Sequence, residues 1–238
     1  MSGSTTAVTS SVSVNSSAFW ERLWRTSGVQ FVGLCIIAYL VYGYQPPVSA
    51  SSSDLVAFYQ THHTRILIAS VIAGLAVLYL MWFAAAIRVA LVNAGEDGWG
   101  AAATASSAAV GALFLLLVSL HAALTYSIAG SGNQNNLITG LNGIAWAGFV
   151  MSSFVRAMLI MSAAFGFWRA GLISNSLFAI GVAAVVLCAL GGTTWALGGF
   201  WAPDGAFSRI ISPLIGICWA LVISWVLMTK SAPSRTGW

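Results

Sequence analysis

Long apolar runs separated by short polar segments form the dominant pattern along the chain. Each run approaches or exceeds the roughly twenty apolar residues with which a helix crosses a hydrocarbon core of about 30 Å. We place the runs at about 29–44, 55–92, 101–128, 138–168, 172–197 and 207–228. Because short connections make successive helices antiparallel, the pattern predicts an all-α fold, a six-helix transmembrane bundle with up-and-down topology.

The second run is longer than one membrane crossing requires. It follows Ser53 and Asp54, at which we expect the helix to be capped. A continuous helix over 55–92 would be about 57 Å long. We therefore predict an extended second helix whose first turns, with Tyr59, His62 and His63, stand clear of the membrane.

The ends of the chain differ from the apolar centre. The first seventeen residues are rich in Ser and Thr and carry no charge, which is typical of a flexible tail. Next, Phe19, Trp20, Leu23 and Trp24 would share one face of a short amphipathic helix. The predicted organisation is a tail over 1–17, an interfacial helix over 18–27, a six-span domain over 28–230 and a cytoplasmic tail over 231–238.

Only 6% of the residues are charged, whereas 59% are hydrophobic and the mean hydropathy is +0.89. Basic residues favour the side of both termini, with Arg22, Arg25, Arg88, Arg169, Lys230 and Arg235 there and Arg65 and Arg209 opposite. This bias predicts a multi-pass protein of the inner (plasma) membrane with both termini cytoplasmic. The net charge of +4 then reflects orientation rather than nucleic-acid binding. The predicted interface tryptophans are Trp20, Trp24, Trp99 and Trp168, with Trp201 on the opposite side.

Arg156 is the exceptional charge, because it lies within the fourth apolar run and no Asp or Glu lies within any run. A buried arginine must find hydrogen-bond acceptors, and intramembrane ionisable residues are often functional. The candidate partners are Ser152, Ser153, Asn142 and His121. Three interpretations remain open: an anionic ligand or lipid headgroup, a carboxylate on another subunit, or a structural arginine that bonds to carbonyls at a kink.

Residues for metal or catalytic chemistry are sparse. His62 and His63 are adjacent and would point in different directions on a helix, and the three cysteines lie singly within apolar runs. No nucleophile or nucleotide-binding motif is present. We therefore predict no cofactor, and a haem or copper enzyme ranks third among the functional interpretations.

Three segments of the second run, at 54–59, 63–67 and 83–88, carry a resemblance. They resemble a large group of uncharacterised bacterial integral membrane proteins with an acidic-capped second helix and an arginine at its inner end. The resemblance covers most of the chain. It implies the same topology and implies no activity.

The third run opens with small residues over 100–109, which allow a neighbouring helix to approach closely. This favours a non-catalytic integral membrane subunit or scaffold of a larger complex, whose partners are the lipid bilayer and other membrane subunits or further copies of the chain. The alternative is a carrier or binding protein for a small anionic or lipidic molecule held near Arg156.

Overall fold

A computed structural model describes residues 23–128 and 135–230, except the side chains of 127–128 and 135–136. All regular structure in these ranges is helical, which confirms the predicted all-α class. The helices are α1 Ser27–Tyr42, α2 Ser52–Thr61, α3 His63–Asn93, α4 Asp97–Ala123, α5 Asn135–Arg169, α6 Asn175–Gly191 and α7 Ser212–Lys230. A π-helical turn, Leu124–Ile128, follows α4, and another, Phe207–Ile211, leads into α7.

Four stretches are long and apolar enough to cross a membrane: His63–Asn93, Asp97–Tyr126, Leu137–Arg169 and Phe207–Lys230. The remaining apolar helices, α1 and α6, have 16 and 17 residues. The described part of the chain is therefore compatible with a membrane protein.

The predicted tails over 1–17 and 231–238 lie outside the described residues. So does half of the predicted interfacial helix, residues 18–22, including Trp20. Residues 23–25 form one helical turn immediately before α1. These parts of the predicted organisation stay predictions.

The extended second helix proves to be two helices that meet at His62. The backbone there has φ −106° and ψ 17°, yet His62 N donates to Phe58 O at 3.0 Å and His62 O accepts from Ile66 N at 2.9 Å. Helix α2 packs on the bundle, where its Leu55 and Tyr59 are fully buried together with Ile66, Leu124 and Ile138. Burial of these two side chains holds α2 against the bundle, because it removes apolar surface from water.

The start of α2 also differs from the prediction. Ser51 is the capping residue, and its Oγ accepts a hydrogen bond from Asp54 N at 3.2 Å. The same hydroxyl donates to the Asp54 carboxylate at 2.6 Å. Asp54 therefore acts in the first turn of the helix as the partner of the cap.

Helix α6 is shorter than the run over 172–197. It begins after Ser174, whose Oγ accepts from Leu177 N at 3.3 Å, and ends at Gly191. Beyond Gly192, the Thr193 hydroxyl donates to Leu190 O at 2.8 Å and the Thr194 hydroxyl to Gly191 O at 2.9 Å. Glycines and hydroxyls that bond to the local backbone both weaken helix continuation, which explains the early end.

Two apolar clusters fill the bundle. The larger one joins five or more helices through residues such as Val32, Phe83, Phe167, Cys188 and Trp219. The smaller one lies at the end of the bundle that carries α2, and it contains Leu55, Tyr59, Ile66, Leu124 and Ile138. We call this end the α2 end.

Candidate functional site

Arg156 lies on α5 and is partly exposed. Its Nη2 donates to Ser153 Oγ at 2.7 Å and its Nε to Ser152 O at 3.4 Å. The guanidinium carbon is also 5.3 Å from the ring centre of Phe149. No carboxylate pairs with Arg156 among the residues that the structure describes. The guanidinium thus lies beside neutral partners from its own helix.

A polar layer extends from Arg156 to two neighbouring helices. Ser153 Oγ is 3.4 Å from Ser212 Oγ at the start of α7, and the Cys188 thiol of α6 donates to Ser153 O at 3.6 Å. Gly191 allows this approach, because a Cβ there would lie 2.6 Å from Ser212 Oγ. The sequence reasoning missed Cys188 and Ser212, and their one signal was a small polar residue in an apolar run.

The predicted partners Asn142 and His121 do not bond to Arg156. Asn142 precedes Arg156 by almost four turns of α5, about 21 Å along the helix axis. His121 Nδ1 donates to Leu117 O at 2.7 Å, and its ring meets the Tyr42 ring edge-on at 5.3 Å. The predicted site therefore divides into Ser152 and Ser153 beside Arg156, and Asn142 and His121 near the α2 end.

Residues 45–48 form a strap that crosses the α2 end between α1 and α2. Each of its four residues bonds through its backbone to a side chain of α5 or of the segment leading into α7. The donors and acceptors are Arg209 Nη2 to Gln45 O at 2.8 Å, Trp146 Nε1 to Pro46 O at 3.1 Å, Asn142 Nδ2 to Pro47 O at 3.1 Å, and Val48 N to Asp204 Oδ2 at 3.1 Å. Every residue of the strap thus forms a hydrogen bond that holds it to the bundle.

Arg209 is held between two aromatic faces. Its guanidinium carbon lies 3.8 Å from the ring centre of Tyr44 and 4.9 Å from that of Trp146. The Trp146 ring in turn lies 6.1 Å from Phe149, the ring beneath Arg156. We call these five residues, Tyr44, Arg209, Trp146, Phe149 and Arg156, the arginine–aromatic row. Sequence reasoning identified only Arg156 as a site residue, because Tyr44 and Arg209 join the row from other parts of the chain.

Several buried polar atoms around the row have no hydrogen-bond partner among the described residues. They are Arg209 Nη1, Ser208 Oγ, Asn142 Oδ1, His121 Nε2 and the hydroxyls of Tyr42 and Tyr59. Because His121 Nδ1 bonds to a carbonyl, Nδ1 carries the proton and Nε2 is left as an acceptor. Burial raises the pKa of Tyr59, which lies on α2, to about 12. Unpaired buried polar atoms are rare in folded proteins, so their concentration here needs a physical account.

Within residues 23–128 and 135–230, His, Cys, Asp and Glu side chains form no group of three or more that could hold a metal ion. We therefore name no residues for a haem or copper ion.

The predicted interface tryptophans separate into two groups. Trp24 packs against the larger apolar cluster, Trp99 stacks on Phe165 at 5.3 Å, and Trp168 stacks on Phe178 at 4.4 Å. This end also carries the Arg169–Glu96 ion pair, at 3.0 Å. Trp201 lies apart from them, near the start of α7, and packs on Phe207 with 4.6 Å between the rings.

No family model, curated protein or solved structure matches the chain.

Proposed function

We propose that the protein is a non-catalytic integral membrane subunit or scaffold that associates through one face of α4. In the apolar stretch of α4, 22% of the residues are buried inside the bundle. The corresponding share is 39% for the stretches of α3, α5 and α7. Its exposed positions include a stripe of small residues, Ala101, Ala105, Ala108 and Ala112. Small residues at helical spacing let another helix approach closely, which stabilises association in lipid. This exposed small-residue face is the observation that carries the proposal.

The same proposal includes six crossings, an up-and-down order and both termini in the cytoplasm of a bacterial plasma membrane. The two short apolar helices support six crossings, because each exposes large apolar side chains along its length. They are Ile36, Ile37 and Leu40 on α1 and Ile180, Val186 and Leu187 on α6. Lipid is the solvent that suits such faces. The α2 end then faces the outside of the cell.

Native mass spectrometry after mild detergent extraction tests the association. We expect the wild-type chain to retain a second polypeptide, either a different subunit or another copy. Ala105→Leu together with Ala108→Leu should remove it by blocking close approach. Ala85→Leu, at an exposed position of α3, is the matched control and should leave it bound. A wild-type chain that carries no other polypeptide contradicts the proposal.

A second candidate function is the binding or carriage of a small anionic or lipidic molecule near Arg156. The observation that favours it is the unpaired charge of Arg156, whose hydrogen bonds go to a hydroxyl and a carbonyl. A partly exposed guanidinium in an apolar setting attracts an anionic group strongly because water does not screen it.

A further inference from the structure

Arg209 shows the features of an anion-binding group more clearly than Arg156 does. One of its two terminal nitrogens bonds to the strap at Gln45 O, and the other, Nη1, is buried and unpaired. The preceding residue, Ser208, is fully buried and its hydroxyl is also unpaired. Both groups can donate hydrogen bonds, and both belong to the π-helical turn Phe207–Ile211.

The surroundings of Arg209 fix the guanidinium and leave its charge uncompensated. The rings of Tyr44 and Trp146 hold the guanidinium plane, so little conformational entropy remains to be lost on binding. Asp204 is the acidic residue nearest in sequence, and its carboxylate accepts from Val48 N. No described carboxylate forms an ion pair with Arg209.

The arginine–aromatic row then connects Arg209 to Arg156 through two rings. Along the row the charged groups are both positive, and the serines beside them are neutral. Asn142 Oδ1, unpaired near the strap, adds an acceptor. An oxyanion offers oxygens to Arg209 and Ser208, and a ligand that also has a hydroxyl, such as hydrogen phosphate or a glycerol headgroup, can donate to Asn142 Oδ1.

We propose that an oxyanionic group, a phosphate or a carboxylate, binds beneath the strap at Arg209 and Ser208, with Arg156 as a second cation deeper along the row. This inference rests on the second candidate function and deepens it, since it names the chemistry of the ligand and the position at which it enters. The group belongs either to a free anion or to the headgroup of an anionic lipid.

Binding of inorganic phosphate to the full chain in phosphatidylcholine nanodiscs, measured by radiolabel, tests the free-anion source. Native mass spectrometry of the chain from nanodiscs with added phosphatidylglycerol tests the lipid source. We expect Arg209→Gln to weaken binding of whichever probe the wild type retains at least tenfold. Arg65→Gln is the matched control, because it removes an exposed charge at the same end and keeps an amide that can donate to Tyr42 O. It should stay within about twofold of the wild type.

Each outcome separates the two claims. Phosphate binding in phosphatidylcholine alone assigns a free anion, and binding of phosphatidylglycerol alone assigns a headgroup. If Arg156→Gln abolishes binding and Arg209→Gln leaves it unchanged, the second candidate function stands and the inference about Arg209 is overturned. A wild-type chain that binds neither probe overturns both. Size-exclusion profiles and melting temperatures of all variants show which of them fold, and Arg209→Lys, which keeps the charge, should recover part of the binding.

Discussion

At the scale of single residues, Tyr59 makes the stability of the α2 end depend on pH. Its side chain is fully buried and its hydroxyl has no hydrogen-bond partner among the described residues. Burial raises the pKa of Tyr59 to about 12, above the value near 10 of an unfolded tyrosine. The folded state therefore holds the phenolic proton more tightly, so its contribution to stability is complete below about pH 10 and decreases as pH rises towards 12.

We predict that Tyr59→Phe leaves the free energy of unfolding at pH 8 unchanged or raises it by up to about 1–3 kcal/mol, because it removes a buried hydroxyl without a hydrogen-bond partner among the described residues. Between pH 8 and 11 the wild type should lose about 1 kcal/mol more than the variant does. Unfolding of the reconstituted protein at both pH values measures this difference. Tyr126→Phe, at a side chain that is 78% exposed, should follow the wild type. A wild-type curve that coincides with that of Tyr59→Phe contradicts the prediction.

Some contacts of the predicted site residues could be predicted from the sequence, and others could not. Ser152 and Ser153 could be paired with Arg156 because residues three and four apart share a helix face. The contact of Asn142 could not be predicted, because it binds Pro47 O, far away in the sequence. Its partner is a backbone carbonyl of a loop, and such a carbonyl has no signature in the sequence. The same holds for Trp146 and Arg209.

At the scale of helices, glycine sets how closely α6 packs on its neighbours. A Cβ at Gly181 would lie 2.7 Å from the Trp219 ring of α7 and 2.9 Å from Ala164 Cβ of α5. Neither neighbour is a flexible chain end, so the helices would have to separate. Gly74 of α3 has no atom within 4 Å of such a Cβ.

We predict that Gly181→Ala lowers the free energy of unfolding by about 1–3 kcal/mol through overpacking. Gly74→Ala should leave it unchanged or raise it by up to about 1 kcal/mol, because alanine favours a helix more than glycine does. Unfolding of both variants in the same detergent measures the pair. Equal stability of the two variants would show that α6 does not pack against Trp219 as described.

The predicted helix bounds agree with the structure where the length of an apolar run sets them. They differ from it where tertiary contacts or local hydrogen bonds set them. The fourth run, predicted over 138–168, lies within α5. The break at His62 could not be predicted, because Thr61, His62 and His63 include neither proline nor glycine and the helical hydrogen bonds continue through it. Gly191 and Gly192 indicate the early end of α6. The prediction placed the end later because the apolar run continues to residue 197.

At the scale of the whole molecule, the number of crossings depends on the two short helices. With 16 residues, α1 spans about 24 Å, somewhat less than a hydrocarbon core of about 30 Å. The helical turn over 23–25 lengthens it, and α6 with 17 residues has a similar shortfall. Local thinning of the bilayer accommodates such a mismatch at modest cost. If both helices cross and the termini are cytoplasmic, as proposed, the loops at the α2 end lie outside the cell and the loops at the opposite end lie inside.

We predict that single cysteines in exposed loop and helix-end positions report this arrangement, once Cys35, Cys188 and Cys218 are replaced. Ser49→Cys and Ala206→Cys should react with a membrane-impermeant maleimide in intact cells. Ala94→Cys and Ser176→Cys should react only after the membrane is permeabilised. Ser176 lies in the first turn of α6 and Ala206 lies beyond its end, so equal labelling of the two in intact cells would mean that α6 does not cross. A cytoplasmic α2 end, shown by reversed labelling of all four positions, would place Arg209 on the inside and leave the bundle intact with the opposite orientation.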